Sequence, residues 1–154
     1  MIQLLTILLL ASHVVTRQTN PDEMVRVTAP KVIAHPDENS VINVSIKVKN
    51  GYHIQAHETN DEFIIPTTLE IKGDKEIIVK KMVFPSVKKF KLEGTDKYLD
   101  VYDGSFEIKA FFTAHTNAQK NMYQLKGNLK YQACDSMRCF SPKTIEFSID
   151  VEVR

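Results

Sequence analysis

Apolar and polar residues alternate with a period of two along most of the chain. The alternation is clearest over residues 123–131 and 145–153, and it recurs over residues 44–48 and 106–112. Because successive side chains of a β-strand point to opposite faces of a sheet, each run predicts a strand with one apolar and one polar face. The pattern therefore predicts an all-β protein.

The number of short strands indicates the architecture. Turn-forming sequences such as Asn50-Gly51 and Asp103-Gly104 separate the runs. Seven or more short strands without an amphipathic helix are typical of an immunoglobulin-like β-sandwich. The segment 85–100 lacks the alternation and is predicted to be a surface loop that can carry function. The further predicted strands are residues 25–33, 52–56, 67–71 and 77–84.

Composition limits the class of protein. The chain has 154 residues, of which 43% are hydrophobic and 25% charged, as expected for one globular domain with its own core. With 20 basic and 19 acidic side chains, the formal net charge is +1. Since no basic stripe is present, the sequence does not predict nucleic-acid binding.

The first residues form an apolar segment. Residues 2–10 are almost continuously apolar, a length that suits a signal peptide and is too short to span a bilayer. No Lys or Arg precedes this run, so a buried N-terminal strand or short helix is the alternative. We predict a signal peptide and short leader over residues 1–20 and an exported immunoglobulin-like domain over residues 24–154, without a membrane span in the mature chain.

The two cysteines of the chain, Cys134 and Cys139, lie between the last two predicted strands. They therefore bracket a hairpin-like turn at one end of the sandwich, where a partner can reach them. A disulfide that closes a loop of about six residues stabilises a fold by roughly 2 kcal/mol at most, against nearly 5 for a long loop. Stabilisation alone is thus a weak reason for this pair.

Three interpretations of the pair follow from the residues. One is a local structural disulfide, as in many exported proteins. Another is a redox-active pair, since strained short-loop bonds exchange readily with an incoming thiolate. Metal binding is not predicted, because a closed zinc site needs about four ligands and His115 is the nearest histidine along the chain. His35, His53 and His57 are expected to have surface or packing roles, and no cofactor is predicted.

Charged neighbours distinguish the two cysteines. Arg138 precedes Cys139 and favours its thiolate, whereas Asp135 follows Cys134 and opposes ionisation there. No histidine is adjacent in sequence to act as a general base. We therefore expect that docking of a partner, and not acid/base catalysis, governs any thiol exchange.

The sequence around the cysteines resembles a known active site. Residues 129–134, Leu-Lys-Tyr-Gln-Ala-Cys, and residues 139–144, Cys-Phe-Ser-Pro-Lys-Thr, resemble the active-site hairpin of the N-terminal periplasmic domain of the bacterial thiol:disulfide interchange protein DsbD. Residues 51–54, Gly-Tyr-His-Ile, and residues 102–104, Tyr-Asp-Gly, are also similar to that family. The resemblance covers residues 24–153.

The resemblance implies a function and partners. In that family, an immunoglobulin-like domain receives two electrons from a thioredoxin-like module, which is supplied through a transmembrane segment. The domain then reduces periplasmic disulfide isomerases or cytochrome c maturation proteins. The full-length relatives fuse the domain to that membrane segment, so the resemblance implies a separate membrane electron conduit here. It also implies a periplasmic location.

The resemblance also implies roles for individual residues. Cys139 would form mixed disulfides with partners, and Cys134 would resolve them. An aromatic cap loop covers the pair in the family, and Tyr102, or Tyr98 nearby, stands where the cap is expected. Among the residues beside the cysteines, Tyr131 and Phe140 are further near-site candidates. The spacer between the cysteines has four residues, one fewer than in the best-studied relatives.

Other classes of function stay open. The leading hypothesis is a thiol:disulfide exchange domain, a component of a protein-disulfide reductase system. The alternative is an immunoglobulin-like binding or structural module in which the disulfide only fixes a hairpin. A third possibility is a subunit of an envelope assembly that binds its neighbours through exposed edge strands.

Overall fold

A computed structural model describes residues 24–59, 63–94 and 96–154 of the chain, and these form twelve β-strands. No membrane-spanning helix occurs in the described ranges. The predicted signal peptide, residues 1–20, lies outside them. The strands are β1 (Val25–Thr28), β2 (Val32–Ala34), β3 (Asn39–Val48), β4 (His53–Gln55), β5 (Thr68–Lys72), β6 (Ile77–Val83), β7 (Lys88–Lys91), β8 (Tyr98–Tyr102), β9 (Ser105–Ala114), β10 (Met122–Tyr131), β11 (Ala133–Cys134) and β12 (Lys143–Val153).

Two four-stranded sheets build the sandwich. The first has the order β1-β3-β9-β6, and the second has the order β2-β12-β10-β5. Their alternating apolar side chains are buried in one common core, as the period of two predicts. The all-β, immunoglobulin-like sandwich expected from the sequence is thus confirmed. Among the most deeply buried core residues are Ile42, Val44, Ile108 and Phe112 of the first sheet and Leu125, Leu129, Ile149 and Val151 of the second.

The longest ladder of the second sheet leads to the cysteines. Strands β10 and β12 pair antiparallel from Met122 opposite Glu152 to Tyr131 opposite Lys143. The connection between these two strands contains both cysteines. As predicted, the cysteine pair therefore lies in a hairpin-like turn beyond the end of the ladder.

The prediction of one strand over residues 25–33 is wrong. Strand β1 pairs antiparallel with β3 of the first sheet, whereas β2 pairs parallel with β12 of the second sheet. Pro30 lies between them. A proline lacks the backbone N–H that a continuing ladder needs, so the chain leaves one sheet here and joins the other.

The prediction of a loop over residues 85–100 is also wrong. Strand β7 and most of β8 lie in this segment and pair as an antiparallel hairpin. The three lysines of β7 are exposed, and burial along β8 increases from Tyr98 to Tyr102 without alternating, so the segment carries little apolar alternation. Ion pairs from Lys88 to Asp103 and from Lys89 to Asp100 link the two strands across the hairpin.

A third small sheet, with the order β11-β4-β8-β7, positions the cysteines. In the ladder between β4 and its neighbours, Ile54 lies opposite both Ala133 and Tyr102. These three side chains share one face of the sheet and belong to the sandwich core. Since side chains alternate along a strand, the flanking residues His53 and Gln55 point to the other face.

Candidate functional site

Cys134 and Cys139 form a disulfide, with their Cα atoms 3.9 Å apart. Backbone hydrogen bonds close the turn around it: the Asp135 N–H donates to the Arg138 carbonyl at 2.9 Å, and the Phe140 N–H donates to the Ala133 carbonyl at 2.8 Å. The disulfide therefore closes a small ring at the tip of the hairpin, as the spacing predicts.

Asp135 shapes this turn. Its carboxylate Oδ1 accepts the backbone N–H groups of Met137 and Arg138, both at 2.8 Å. These hydrogen bonds hold the pKa of Asp135 below its ordinary value. The carboxylate therefore stabilises the turn. This structural role adds to its negative charge, which the sequence predicts to oppose ionisation of Cys134.

The two sulfur-bearing residues differ in exposure. Cys134 ends strand β11 and is 2% exposed. Cys139 is exposed, and so are the preceding residues of the turn, including Met137 at 85%. An incoming group can therefore reach Cys139 from solvent, whereas Cys134 is buried.

A buried amide contacts both sulfurs. The Gln55 side chain is 1% exposed, and its Nε2 donates to Cys134 Sγ at 3.1 Å and lies 3.8 Å from Cys139 Sγ. Its backbone is fixed as well: its N–H donates to the Gln132 carbonyl at 3.2 Å, and its carbonyl accepts the Thr67 hydroxyl at 2.5 Å. Sequence reasoning missed Gln55, because a polar residue in an alternating strand predicts a solvent-facing position.

The structure also brings a histidine to the disulfide. His53 lies directly opposite Cys134 in the β4–β11 ladder and is 4% exposed. The ring of Phe90 packs on it, with ring centroids 4.1 Å apart. Among the described residues, His53 Nε2 has no hydrogen-bond partner. The sequence places no histidine beside the cysteines, but strand pairing does.

Burial determines the charge of His53. Removal from water lowers the pKa of His53 below its ordinary value of 6.5. The carboxylates of Asp103 and Asp135 act in the opposite direction but more weakly. The imidazole beside Cys134 is therefore neutral at pH 7.

Tyr102 does not lie on the face that carries the disulfide. It shares the core face with Ile54, is 2% exposed, and its hydroxyl lies 2.9 Å from His57 Nδ1. Burial raises the pKa of Tyr102. Its neighbours explain this position, because Phe84 stacks on His57 and Phe106 packs against Tyr102 itself. Tyr102 thus anchors the third sheet to the core in this structure, and the cap role that the resemblance implies for it stays a prediction.

Two aromatic side chains of the β7–β8 hairpin lie near Gln55 or His53. Tyr98, the alternative cap residue, is 60% exposed and lines a cleft of about 280 Å³ together with Gln55 and Leu99. Phe90, which the sequence does not single out, covers His53 from the β7–β8 hairpin. The segment predicted as a loop therefore supplies the aromatic residues beside the site.

The remaining near-site candidates have distinct surroundings. Tyr131 ends β10 and is buried in the core. Phe140 is half-buried, and its ring contacts Tyr52 at a centroid distance of 6.0 Å. The Arg138 guanidinium lies over the same Phe140 ring at 5.0 Å. This contact fixes the positive charge beside Cys139.

Gln132 ties the hairpin to the neighbouring segment. Its Oε1 accepts the Ile65 N–H at 3.1 Å, and its Nε2 donates to the Phe140 carbonyl at 3.2 Å. This bridge gives a physical role to the glutamine of the Tyr-Gln-Ala-Cys sequence. Within the described ranges, no group of three or more His, Cys, Asp or Glu side chains is arranged to hold a metal ion.

The fold and the site together define an immunoglobulin-like β-sandwich domain with a disulfide ring at one end. The ring has one exposed and one buried cysteine. The chain belongs to the family of the N-terminal domain of the thiol:disulfide interchange protein DsbD, which matches residues 20–150. The resemblance stated from the sequence is therefore confirmed.

Solved structures share the fold. The N-terminal periplasmic domain of ScsB from Proteus mirabilis is 17% identical, with a TM-score of 0.55 over 88% of this chain and 49% of that one. This chain thus spans about half the length of that structure. A type I cohesin, the seventh of ScaB from Pseudobacteroides cellulosolvens, is 11% identical, with a TM-score of 0.53 over 84% and 92% of the two chains.

A structure of a family member is also similar. The DsbD N-terminal domain from Neisseria meningitidis, in the reduced form, is 17% identical, with a TM-score of 0.46 over 72% of this chain and 77% of that one. At such identities the structural comparisons show the fold alone. No curated protein sequence matches the chain.

Proposed function

We propose that this domain exchanges disulfides with thiol proteins through Cys134 and Cys139 and so passes electrons between them. The observation that carries the proposal is the unequal exposure of the two residues, since Cys134 is 2% exposed and Cys139 faces solvent. Membership of the DsbD N-terminal family supports it. A bond with a purely structural role needs no such inequality.

The chemistry is a sequence of two displacements. A partner thiolate attacks Cys139 Sγ, a new sulfur–sulfur bond forms, and the Cys134–Cys139 bond breaks with its electron pair on Cys134 Sγ. A second thiolate of the partner then attacks its own sulfur in the mixed disulfide and releases the Cys139 thiolate. The partner leaves oxidised, and the domain holds two thiols. In the reverse direction the domain reduces a disulfide of the next partner, and Cys134 resolves the intermediate.

The partners in this proposal are those of the family. A thioredoxin-like protein linked to a separate membrane conduit supplies the electrons, and periplasmic disulfide isomerases or cytochrome c maturation proteins accept them. The domain would act in the periplasm after removal of the leader over residues 1–20. The surface for these partners is the exposed turn at Cys139 with the adjoining cleft at Tyr98.

Trapping of the mixed disulfide tests the proposal. The Cys134→Ala variant, expressed in its native compartment, is expected to accumulate a disulfide between Cys139 and a thiol protein, because the resolving thiol is missing. The matched control is Cys139→Ala, which should trap far less, since Cys134 is buried. Both adducts are read by non-reducing electrophoresis and mass spectrometry.

Two results would contradict this function. One is a Cys134→Ala variant that forms no mixed disulfide in its compartment, which would favour the binding or structural module. The other is a reduction potential of the wild-type pair below about −300 mV, the range of structural disulfides.

A further inference from the structure

Gln55 holds its side-chain amide against the disulfide from within the fold. Its Nε2 donates to Cys134 Sγ at 3.1 Å and lies 3.8 Å from Cys139 Sγ. A disulfide sulfur carries no hydrogen, so only the NH₂ end of the amide can bond to it. The geometry therefore points an N–H donor at the sulfur that is buried.

This donor matters most when the disulfide breaks. Attack at the sulfur of the exposed residue Cys139 leaves the electron pair on Cys134 Sγ, which becomes a thiolate at a residue that is 2% exposed. Water cannot solvate a charge at such a position, and burial disfavours the ionised form of a thiol. A neutral disulfide sulfur is a weak acceptor, whereas a thiolate is a strong one. The contact with Gln55 therefore strengthens as the charge develops.

The other polar groups near Cys134 are less suited to this task. His53 Nε2 forms no hydrogen bond to any described atom, and burial keeps the imidazole neutral. The guanidinium of Arg138, an exposed residue, lies over the Phe140 side chain. Asp135 is negative and would repel a thiolate.

We propose that Gln55 is a catalytic residue of the exchange reaction, which donates its Nε2–H to the departing Cys134 thiolate and stabilises it. The assignment rests on the proposed function, because it names the group that acts on the same cysteine pair. In the first displacement, the partner thiolate bonds to Cys139 Sγ and the Cys134–Cys139 bond breaks. The negative charge then resides on Cys134 Sγ beside Gln55 until solvent supplies a proton.

The rigidity of Gln55 supports this role. Its backbone carbonyl accepts the hydroxyl of the fully buried Thr67, and its backbone N–H bonds to Gln132. Strand β4 is also paired on both sides, with β11 and β8. The donor is thus in place before the charge appears, so little reorganisation accompanies the reaction.

Replacement of the donor tests the proposal. Gln55→Met keeps an unbranched side chain of similar length but removes the N–H group. The purified full chain is reduced, and the thiolate of Cys134 is titrated by its absorbance at 240 nm in a Cys139→Ser background. We expect the pKa of Cys134 to rise by about one unit, the effect of losing one hydrogen bond to a charged group. In the wild-type background, reduction of the disulfide by dithiothreitol is expected to slow several-fold.

The matched control is Gln132→Met. Gln132 lies in the same hairpin and makes two hydrogen bonds, but to Ile65 and Phe140 rather than to sulfur. A purely structural contribution of Gln55 predicts that both variants lose stability and that neither moves the Cys134 pKa. The proposal predicts a shifted pKa in the Gln55 variant alone.

Three outcomes overturn the assignment. The first is a folded Gln55→Met protein whose Cys134 pKa and rate of reduction equal those of the wild type. The second is an equal pKa shift in Gln132→Met. The third is a shift of the Cys134 pKa in Gln55→Glu without a shift in Gln55→Met, because charge repulsion alone would then explain the shift. If Gln55→Met does not fold, Gln55→Leu removes the same N–H donor without adding a charge and must raise the Cys134 pKa.

These measurements separate the assignment from the proposed function. They use a small dithiol and the titration of Cys134, so they need no protein partner. A Cys134→Ala variant that traps no partner, together with a shifted pKa in Gln55→Met, would overturn the proposed function only. Successful trapping with an unchanged pKa would overturn the role of Gln55 only.

Discussion

His53 and Cys134 face each other across the β4–β11 ladder, on the face of the third sheet that points away from the sandwich core. Directly opposed residues of antiparallel strands have Cβ atoms about 5 Å apart. A buried imidazole and a buried sulfur are therefore neighbours at the end of the domain, although they lie 81 positions apart in the sequence.

The free energy of unfolding should vary with pH because His53 becomes protonated. Because burial lowers its pKa below 6.5, the unfolded chain binds more protons than the folded chain just below that pH. The contribution of neutral His53 to the free energy of unfolding is thus fully present above about pH 6.5. It is lost as the pH falls through the lowered pKa of His53. Urea denaturation of the oxidised protein between pH 5 and pH 8 should show that the free energy of unfolding declines as the pH falls. The decline should be smaller in His53→Gln.

His115→Gln is the matched control for that experiment, since His115 is exposed and lies outside the third sheet. This variant should keep the wild-type pH dependence. An identical decline in the wild type and in His53→Gln would show that another group causes it.

Phe90 should shield the His53 imidazole from water. In Phe90→Ala the ring that packs on the imidazole at 4.1 Å is lost, so water reaches His53 and its pKa should return toward 6.5. The free energy of unfolding should fall by roughly 1–2 kcal/mol, because Phe90 is half-buried. The His53 pKa is measured by NMR titration of its ring protons.

Phe111 provides a control on the far side of the first sheet, where its half-buried ring contacts Lys81. Phe111→Ala should reduce stability to a similar degree and leave the His53 pKa unchanged. A His53 pKa that stays low in Phe90→Ala would mean that other groups exclude water from the imidazole.

Removal of both cysteine sulfurs should leave the fold intact and abolish thiol exchange. The Cys134→Ala/Cys139→Ser variant should keep its β-sheet circular dichroism and lose at most about 2 kcal/mol of stability, the limit for so small a ring. It should have no thiol exchange with dithiothreitol or glutathione. The reduced wild-type protein is the control for the stability measurement, and failure of the variant to fold would contradict the expectation that the core is independent of the bond.

The main strands could be predicted because their signal is local. Each long strand of the sandwich alternates over many residues, and a strand of that kind buries one face whatever its neighbours are. The cysteine ring is equally local, since its two members are five positions apart. The hairpin of β7 and β8 gave no such signal, because the three lysines of β7 are exposed and burial along β8 does not alternate.

The buried residues of the site could not be predicted for a different reason. In the predicted strand over residues 52–56, alternation assigns His53 and Gln55 to the polar face, and polar faces normally meet water. They are buried only because the disulfide hairpin and Phe90 cover that face. Both covering elements come from distant parts of the chain, so no window of sequence around β4 contains the information.

The β10–β12 ladder stops at Tyr131 and Lys143, before the chain reaches either cysteine. Opening of the sulfur bridge therefore leaves every rung of that ladder intact. In the proposed exchange, the sandwich is therefore expected to keep one structure in the oxidised and the reduced form. We expect a partner that distinguishes the two forms to do so through contacts with the turn around Cys139.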